Sequence, residues 1–192
     1  MSNSRNRSPM ALSISLPRPL PQLVKRVGAK ARKKLGFLPN VLLGYAHVPR
    51  RLENFLNTRD ELMLSESDLT VLEREMIALV VSATNRCHYC VTSHGATVRS
   101  LSGDAILADD LIVNYRFAQL SKRQKSMLDF VFKLTIDPST IDDSDRDALR
   151  VAGFSETAIW DIAEVTGFFN MTNRLANTVG MEPNPEYHQI GR

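Results

Sequence analysis

The sequence predicts an all-α fold, a bundle of helices packed around one another. Apolar residues recur at three- and four-residue spacing from about Leu20 onward, and Gly36, Gly103, Gly153 and Gly180 punctuate the periodic segments where helices stop. Alternating, strand-like runs are missing. With 192 residues, 43% of them hydrophobic, the chain is long enough to bury a core and belongs to the globular class.

Each element follows from local signals. Residues 1–18 read as a flexible polar tail, and residues 19–192 as a single all-helical domain. A basic segment at 23–35 ends at Gly36, and the turn at 37–41, bent by Pro39, opens a new helix. Residues 51–64 form the next helix, with Leu52, Phe55, Leu56, Leu62 and Met63 as its apolar set. Ser67 or Asp68 then caps a helix running to about Ala83. Thr84, Asn85 and Arg86 interrupt the pattern, and Asn85 or Thr84 is positioned to cap a helix from Cys87 to about Ser100. Three more helices follow at 104–117, 121–134 and 143–152. Ser155 opens a long C-terminal helix reaching about Val179, with Gly180 beyond it. On that helix Trp160, Phe168 and Phe169 are expected in the core or a subunit interface. Asn170, Thr172 and Asn173 are expected to line a pocket or to be satisfied in an interface. The segment 183–187 reads as an extended strap.

No apolar run approaches the roughly 18–20 residues that a spanning helix needs; the longest, from Met76 to Val81, has six. Pro17, Pro19 and Pro21 precede any apolar stretch, so no secretory leader is expected and the cytoplasm is the expected location. Charge is uneven. The first 52 residues hold eleven Lys or Arg and no acid, whereas the remainder carries 13 basic against 21 acidic residues. Such asymmetry fits a nucleic-acid arm, or a basic segment lying on the acidic body of its own or a neighbouring subunit. The second is favoured, because the basic stretch lacks interleaved stacking aromatics.

The two cysteines carry the chemistry. They stand as Cys87-x-x-Cys90, and a chain that keeps only these two is not building a disulfide framework. On a helix Cys87, Cys90 and His94 fall at about 0°, 300° and 340°, on one narrow face. Cys90 and His94 are i and i+4 neighbours, so the imidazole is placed to take a proton from sulfur directly or through one water. Cys87 falls in the first turn, where free backbone amides and the helix dipole favour a thiolate. Two-cysteine peroxide reduction needs a thiolate to attack oxygen, a second thiol to capture the sulfenic acid, and an acid to protonate the departing oxygen. All three types of group occur within eight residues. An upstream carboxylate would orient the imidazole, and if buried would have a raised pKa suited to proton relay. Glu73 and Glu75 both qualify by their apolar neighbours, so periodicity leaves the choice open.

The spacing of Glu75, Cys87-x-x-Cys90 and His94 resembles the motif of the alkylhydroperoxidase D family, within the larger carboxymuconolactone decarboxylase-like group. The stretches at 35–40, 85–94 and 168–187 look like the branch called peroxidase-related enzymes, and the resemblance spans roughly residues 20–190. It implies an oligomeric alkylhydroperoxidase D-like helical bundle, trimeric or hexameric, with neither metal nor organic cofactor. It further implies that Cys90 reacts with peroxide, that Cys87 resolves the intermediate to a disulfide, and that Glu75 and His94 relay protons. One departure stands out. Well-studied members place His directly before the second cysteine, where this chain has Tyr89. His88 lies one place earlier, about 100° round the helix, and does not inherit that role.

The expected function is therefore thiol-dependent peroxidase activity in antioxidant defence, acting on a hydroperoxide with an external dithiol or protein reductant. The alternatives are a dithiol–disulfide carrier in which Cys87 exchanges with a partner protein, and a decarboxylase-type lyase, whose branches do not rely on a cysteine pair. Zinc is not expected: Cys87, Cys90 and His94 give three ligands where a structural site needs four, and His47 and His188 are isolated.

Overall fold

A computed structural model describes residues 9–192. Among them are nine α-helices and no strand: α1 (Gln22–Leu35), α2 (Asn40–Gly44), α3 (Pro49–Leu64), α4 (Val71–Thr84), α5 (His88–Ser102), α6 (Ala105–Asn114), α7 (Lys122–Ile136), α8 (Asp143–Val151) and α9 (Glu156–Val179).

The bundle is organised around α4. From Met76 to Ser82 every residue of this helix is buried, as befits a helix apolar on nearly all sides. α5, α6, α7 and α9 surround it, and α3 touches it from the N-terminal side. Met76, Leu79, Leu128, Leu149 and Ile162 are fully enclosed in the resulting core, each contributing about 1.5–3 kcal/mol through removal of its side chain from water. A second cluster lies beside this core. There Val24 of α1 packs on Leu42 of α2, Leu52 and Leu56 of α3, and Ala46 in the turn between them, while Lys25, Arg26, Lys30, Lys33 and Lys34 face solvent.

The start of α4 differs from the sequence expectation. Its cap is Thr70, not Ser67 or Asp68: the Thr70 hydroxyl accepts from the Glu73 amide at 3.1 Å, and the Glu73 carboxylate accepts from the Thr70 amide at 2.9 Å. This reciprocal box satisfies two amides that the helix start leaves over. Ser67 instead donates to Asp161 and accepts from the Leu69 amide. Just inside α4, the buried Arg74 guanidinium donates to the carbonyls of Leu62, Ser65 and Leu69, which pins the α3–α4 turn.

Both chain ends bear on the bundle. Of the expected N-terminal tail, residues 1–8 lie outside the described residues. Further along, Pro9 and Met10 are buried, the Ala11 amide donates to Val179 at 2.9 Å, and the Glu182 amide donates to Pro9 at 3.0 Å. At the other end the expected extended strap contains a 3-10 turn, Pro185–Gln189, lying on α5. Arg99, buried on α5, holds it by donating to the carbonyls of Tyr187 and Ile190, both at 2.8 Å. Asn184 accepts from the Asn40 amide at 2.7 Å and donates to Leu38 at 3.0 Å, which ties the same segment to the start of α2. Phe168 and Phe169 are buried as expected, whereas Trp160 is 67% exposed and takes no part in the core. No helix among the described residues is long and apolar enough to cross a membrane.

Candidate active site

The turn between α4 and α5 sets the geometry of the cysteines. α4 extends to Thr84, Asn85 closes it, and Arg86 takes the left-handed conformation with φ 51°. The Cys87 amide reaches back to Ser82 at 2.9 Å and the Arg86 amide to Ala83 at 3.0 Å. These two bonds are the double closure of a Schellman turn, with arginine where glycine is usual. Asn85 therefore ends α4 instead of capping α5, and Cys87 itself is the N-cap of α5, whose helix begins one residue later than the sequence suggested. As a thiol Cys87 makes no capping hydrogen bond. As a thiolate it is favoured by the amides of Tyr89 and Cys90 at the helix start.

Both cysteines are free and buried. Their sulfurs are joined by a hydrogen bond, and this is the main reason the Cys87 thiol is lowered from 9.0 to about 7. Burial opposes the shift, while the Cys90 amide, the charge of His94 and the Tyr89 amide reinforce it. Cys90 is pushed the other way, first because it keeps the proton that it shares with Cys87, then by burial and by the neighbouring charge. The neighbouring Asn173 amide and Ser82 hydroxyl act against that rise. The pair thus ionises as a unit, one proton between two sulfurs. Access is uneven too. Cys87 has 0% exposure and Cys90 has 5%, so only Cys90 presents surface to a small reactant.

Glu75 and His94 meet beside this pair. The Glu75 carboxylate lies 2.7 Å from His94 Nδ1, with exposures of 13% and 19% for the two side chains. Phe169 stands edge-on to the imidazole, with centroids 4.6 Å apart. No hydrogen bond joins His94 to either sulfur among the described residues; it reaches Cys87 through its charge. Glu73, the other candidate carboxylate, caps α4 with Thr70 and lies 3.4 Å from Arg123. The fold therefore brings Glu75, Cys87, Cys90 and His94 together and directs Glu73 elsewhere.

Tyr89, between the two cysteines, is committed to other partners. Its hydroxyl accepts from the Val41 amide at 3.3 Å and shares a hydrogen bond with Tyr187, and burial raises its pKa well above the ordinary value. His88 is exposed. No cluster of three or more metal-ligating side chains occurs among the described residues.

Sequence reasoning singled out Asn173 but gave it no partner, and it passed over Ser82. Asn173 is 1% exposed on α9, and its amide donates to Ser82 Oγ at 3.1 Å. The available signal for Ser82 was a lone hydroxyl in the apolar run of α4, five residues before Cys87. Met181 and Val179 pack on the cysteine cluster from the other side. They also wall an apolar cavity of about 770 Å³ between the N-terminal segment, α3 and α9.

The family model for the carboxymuconolactone decarboxylase family matches residues 49–113, which include both cysteines, Glu75 and His94. Comparison with curated proteins gave no match. Among solved structures, an uncharacterized peroxidase-related protein from Silicibacter sp. TM1040 is 48% identical over the whole of both chains, with a TM-score of 0.94. A second such protein, from Ralstonia eutropha JMP134 and described as an alkylhydroperoxidase AhpD core, is 41% identical over 93% of this chain and 95% of that one, with a TM-score of 0.89. The debrominase Bmp8, solved in complex with 2,3,4-tribromopyrrole, shares the fold at 18% identity, covering 98% of this chain and 97% of that one with a TM-score of 0.77. Spacing, fold and identity over the full length agree: the chain belongs to the carboxymuconolactone decarboxylase family, within its alkylhydroperoxidase D-like, peroxidase-related group.

Proposed function

We propose that this protein is a thiol-dependent peroxidase that reduces hydroperoxides through Cys90 and Cys87. The observation that carries the reading is a pair of free, buried cysteines at the start of α5 beside an imidazole held by a carboxylate at 2.7 Å. Transfer of the Cys90 proton to Cys87 creates the attacking thiolate on the cysteine that is not wholly enclosed. Cys90 sulfur then bonds to the terminal peroxide oxygen, the O–O bond breaks, and the departing alkoxide takes a proton from His94. Cys90 is left as a sulfenic acid. Cys87, again a thiolate once its proton has passed to His94, attacks Cys90 sulfur, and the hydroxide released is protonated to water. One hydroperoxide and two thiols thus give one alcohol, one water and one disulfide, which an external dithiol reduces. Glu75 holds the imidazole in place and balances its positive charge through the cycle.

A second reading, dithiol–disulfide exchange with a partner protein, is favoured by the lowered pKa of Cys87. Against it stands the complete burial of Cys87, which a protein disulfide cannot reach without opening the helix start. The test is consumption of an alkyl hydroperoxide by the purified protein with a dithiol in excess, beside the Cys90→Ser variant. Turnover in the parent that vanishes in the variant is the expected result. Full turnover in Cys90→Ser, or rapid exchange with a protein disulfide without peroxide consumption, would displace the proposal.

A further inference from the structure

Beside Cys90, between α4 and α9, lies a chain of side-chain amides that the peroxidase reading leaves without a task. The Asn85 amide donates to Asn170 Oδ1 at 3.0 Å and to Asn173 Oδ1 at 3.1 Å. Asn170 Oδ1 also accepts from the Arg174 guanidinium at 2.7 Å, and the Asn170 amide donates to Thr135 and to the Thr166 carbonyl. Asn173 passes its own amide to Ser82 Oγ at 3.1 Å, and both side chains bear on the Cys90 thiol and draw its pKa down. Ser82 in turn donates to the Ala78 carbonyl at 2.6 Å. No buried side-chain polar atom is left unpartnered among the described residues.

The direction of this chain has a consequence. Arg174 has only donors to give, so Asn170 must present its oxygen to it, and Asn85 must then present nitrogen to that same oxygen. The Asn85 nitrogen obliges Asn173 to turn its oxygen toward Asn85 and its nitrogen toward Ser82 and Cys90. Reversing Asn173 would set two amide nitrogens against each other and place an acceptor on the sulfur. The donor facing Cys90 is thus imposed along the chain from Arg174, and in a buried site such oriented networks are stiff.

We propose that Asn173 is a catalytic residue for Cys90: its oriented amide N–H, with the Ser82 hydroxyl turning from Ala78 to join it, receives the negative charge that appears on the Cys90 sulfur when its proton passes to Cys87. Asn85 is the positioning residue that fixes which end of Asn173 meets the sulfur. This rests on the assignment of Cys90 as the attacking thiol. It adds a stabilising site for the anion. The two sets of residues then divide the work, with His94 and Glu75 handling protons and Asn173 and Ser82 handling charge.

The experiment follows alkylation of Cys90 by iodoacetamide in the Cys87→Ser background, which reads the sulfur anion without any peroxide. Asn173→Asp keeps the shape but replaces the donor with an acceptor. Asn85→Asp leaves Asn173 untouched and draws its nitrogen away from the sulfur, so that oxygen faces Cys90. Both changes are expected to slow Cys90 alkylation near neutral pH by about tenfold or more, which is one unit of thiol pKa. Asn85→Gln, which keeps a donor, is expected to restore most of the rate. If Asn173→Asp fails to fold, Asn85→Asp decides, because Asn85 sits half-buried at a turn. An alkylation rate within twofold of the parent in folded Asn85→Asp would overturn the proposal. Slowed alkylation in a protein that consumes no peroxide would sustain the amide assignment and remove the peroxidase reading.

Discussion

Glu75 Oε2 and His94 Nδ1 meet at 2.7 Å across the contact between α4 and α5, nineteen residues apart in the chain. A carboxylate can only accept, so the neutral imidazole carries its proton on Nδ1 and keeps Nε2 for acid–base work. Glu75→Gln removes this constraint. The amide nitrogen of Gln can donate to Nδ1, which allows the opposite tautomer and removes the carboxylate's charge from beside the ring. Peroxide turnover is expected to fall roughly a hundredfold or more, with the melting temperature nearly unchanged. Turnover within a few-fold of the parent would remove Glu75 from the relay.

The sulfur pair predicts an unusual titration. Cys87 is lowered to about 7 while Cys90 is raised, so thiolate absorbance should show one thiolate per chain forming near pH 7 and no second step through pH 9.0. The signs oppose each other. The native state favours the Cys87 anion, a stabilisation present above the unfolded value of 9.0 and lost as pH falls through about 7; it favours the Cys90 thiol, a stabilisation present below 9.0 and lost at higher pH. Cys90→Ala deletes the thiol that donates to Cys87, the largest cause of its shift. The remaining thiol should then titrate closer to 9.0, and a value still near 7 would mean that backbone amides and His94 alone set it.

Tyr89 tests whether the residue between the cysteines belongs to the chemistry or to the frame. Its hydroxyl joins the Val41 amide and Tyr187, and Tyr187 packs edge-on against Phe37 at 4.8 Å. Tyr89→Phe keeps the ring and leaves the Val41 amide without that acceptor. A loss of about 1–2 kcal/mol in denaturant unfolding is expected, with peroxide turnover per folded molecule preserved. A large fall in turnover at unchanged stability would put the phenol in the relay.

Helix ends were the most legible part of the sequence, for a local reason. Gly36, Gly103, Gly153 and Gly180 all adopt positive φ at or just past helix ends, a backbone state that other residues enter at a cost. The α4 cap was misplaced although Thr70-x-x-Glu73 has the form of a capping box. Reading it would also have separated Glu73 from Glu75, since a carboxylate folded back on its own helix start is not free to hold an imidazole. The break before Cys87 was legible, but Arg86 concealed what kind of turn it is, because it occupies a glycine's conformation without being one. The Asn173 contact with Ser82 was beyond reach. It joins residues 91 apart, and only the packing of α9 on α4 decides which of the polar residues at 170, 172 and 173 faces the cysteines.

Gly180 carries the last prediction, because it does two jobs at once. It closes α9 in the left-handed conformation, φ 60°, and a Cβ there would stand 2.6 Å from Ala11 Cβ and 3.3 Å from the Ala11 nitrogen. That nitrogen is the one bonded to Val179 and Gly180, so the clash falls on the bond that fastens the N-terminal segment. Gly103 supplies the control: it closes α5 at φ 69°, and a Cβ added there would meet nothing within 4 Å. Gly103→Ala should lose about 1 kcal/mol from backbone strain alone. Gly180→Ala should lose that and more, and should in addition free residues 9–14, seen as faster thermolysin cleavage before Leu12 and Ile14. The same segment supplies Met10, Leu12 and Ile14 to the apolar cavity behind Met181, so its release should also weaken binding of an apolar fluorescent probe there. Equal losses in the two variants, with unchanged cleavage, would show that the N-terminal segment is held by contacts other than the Ala11 hydrogen bonds.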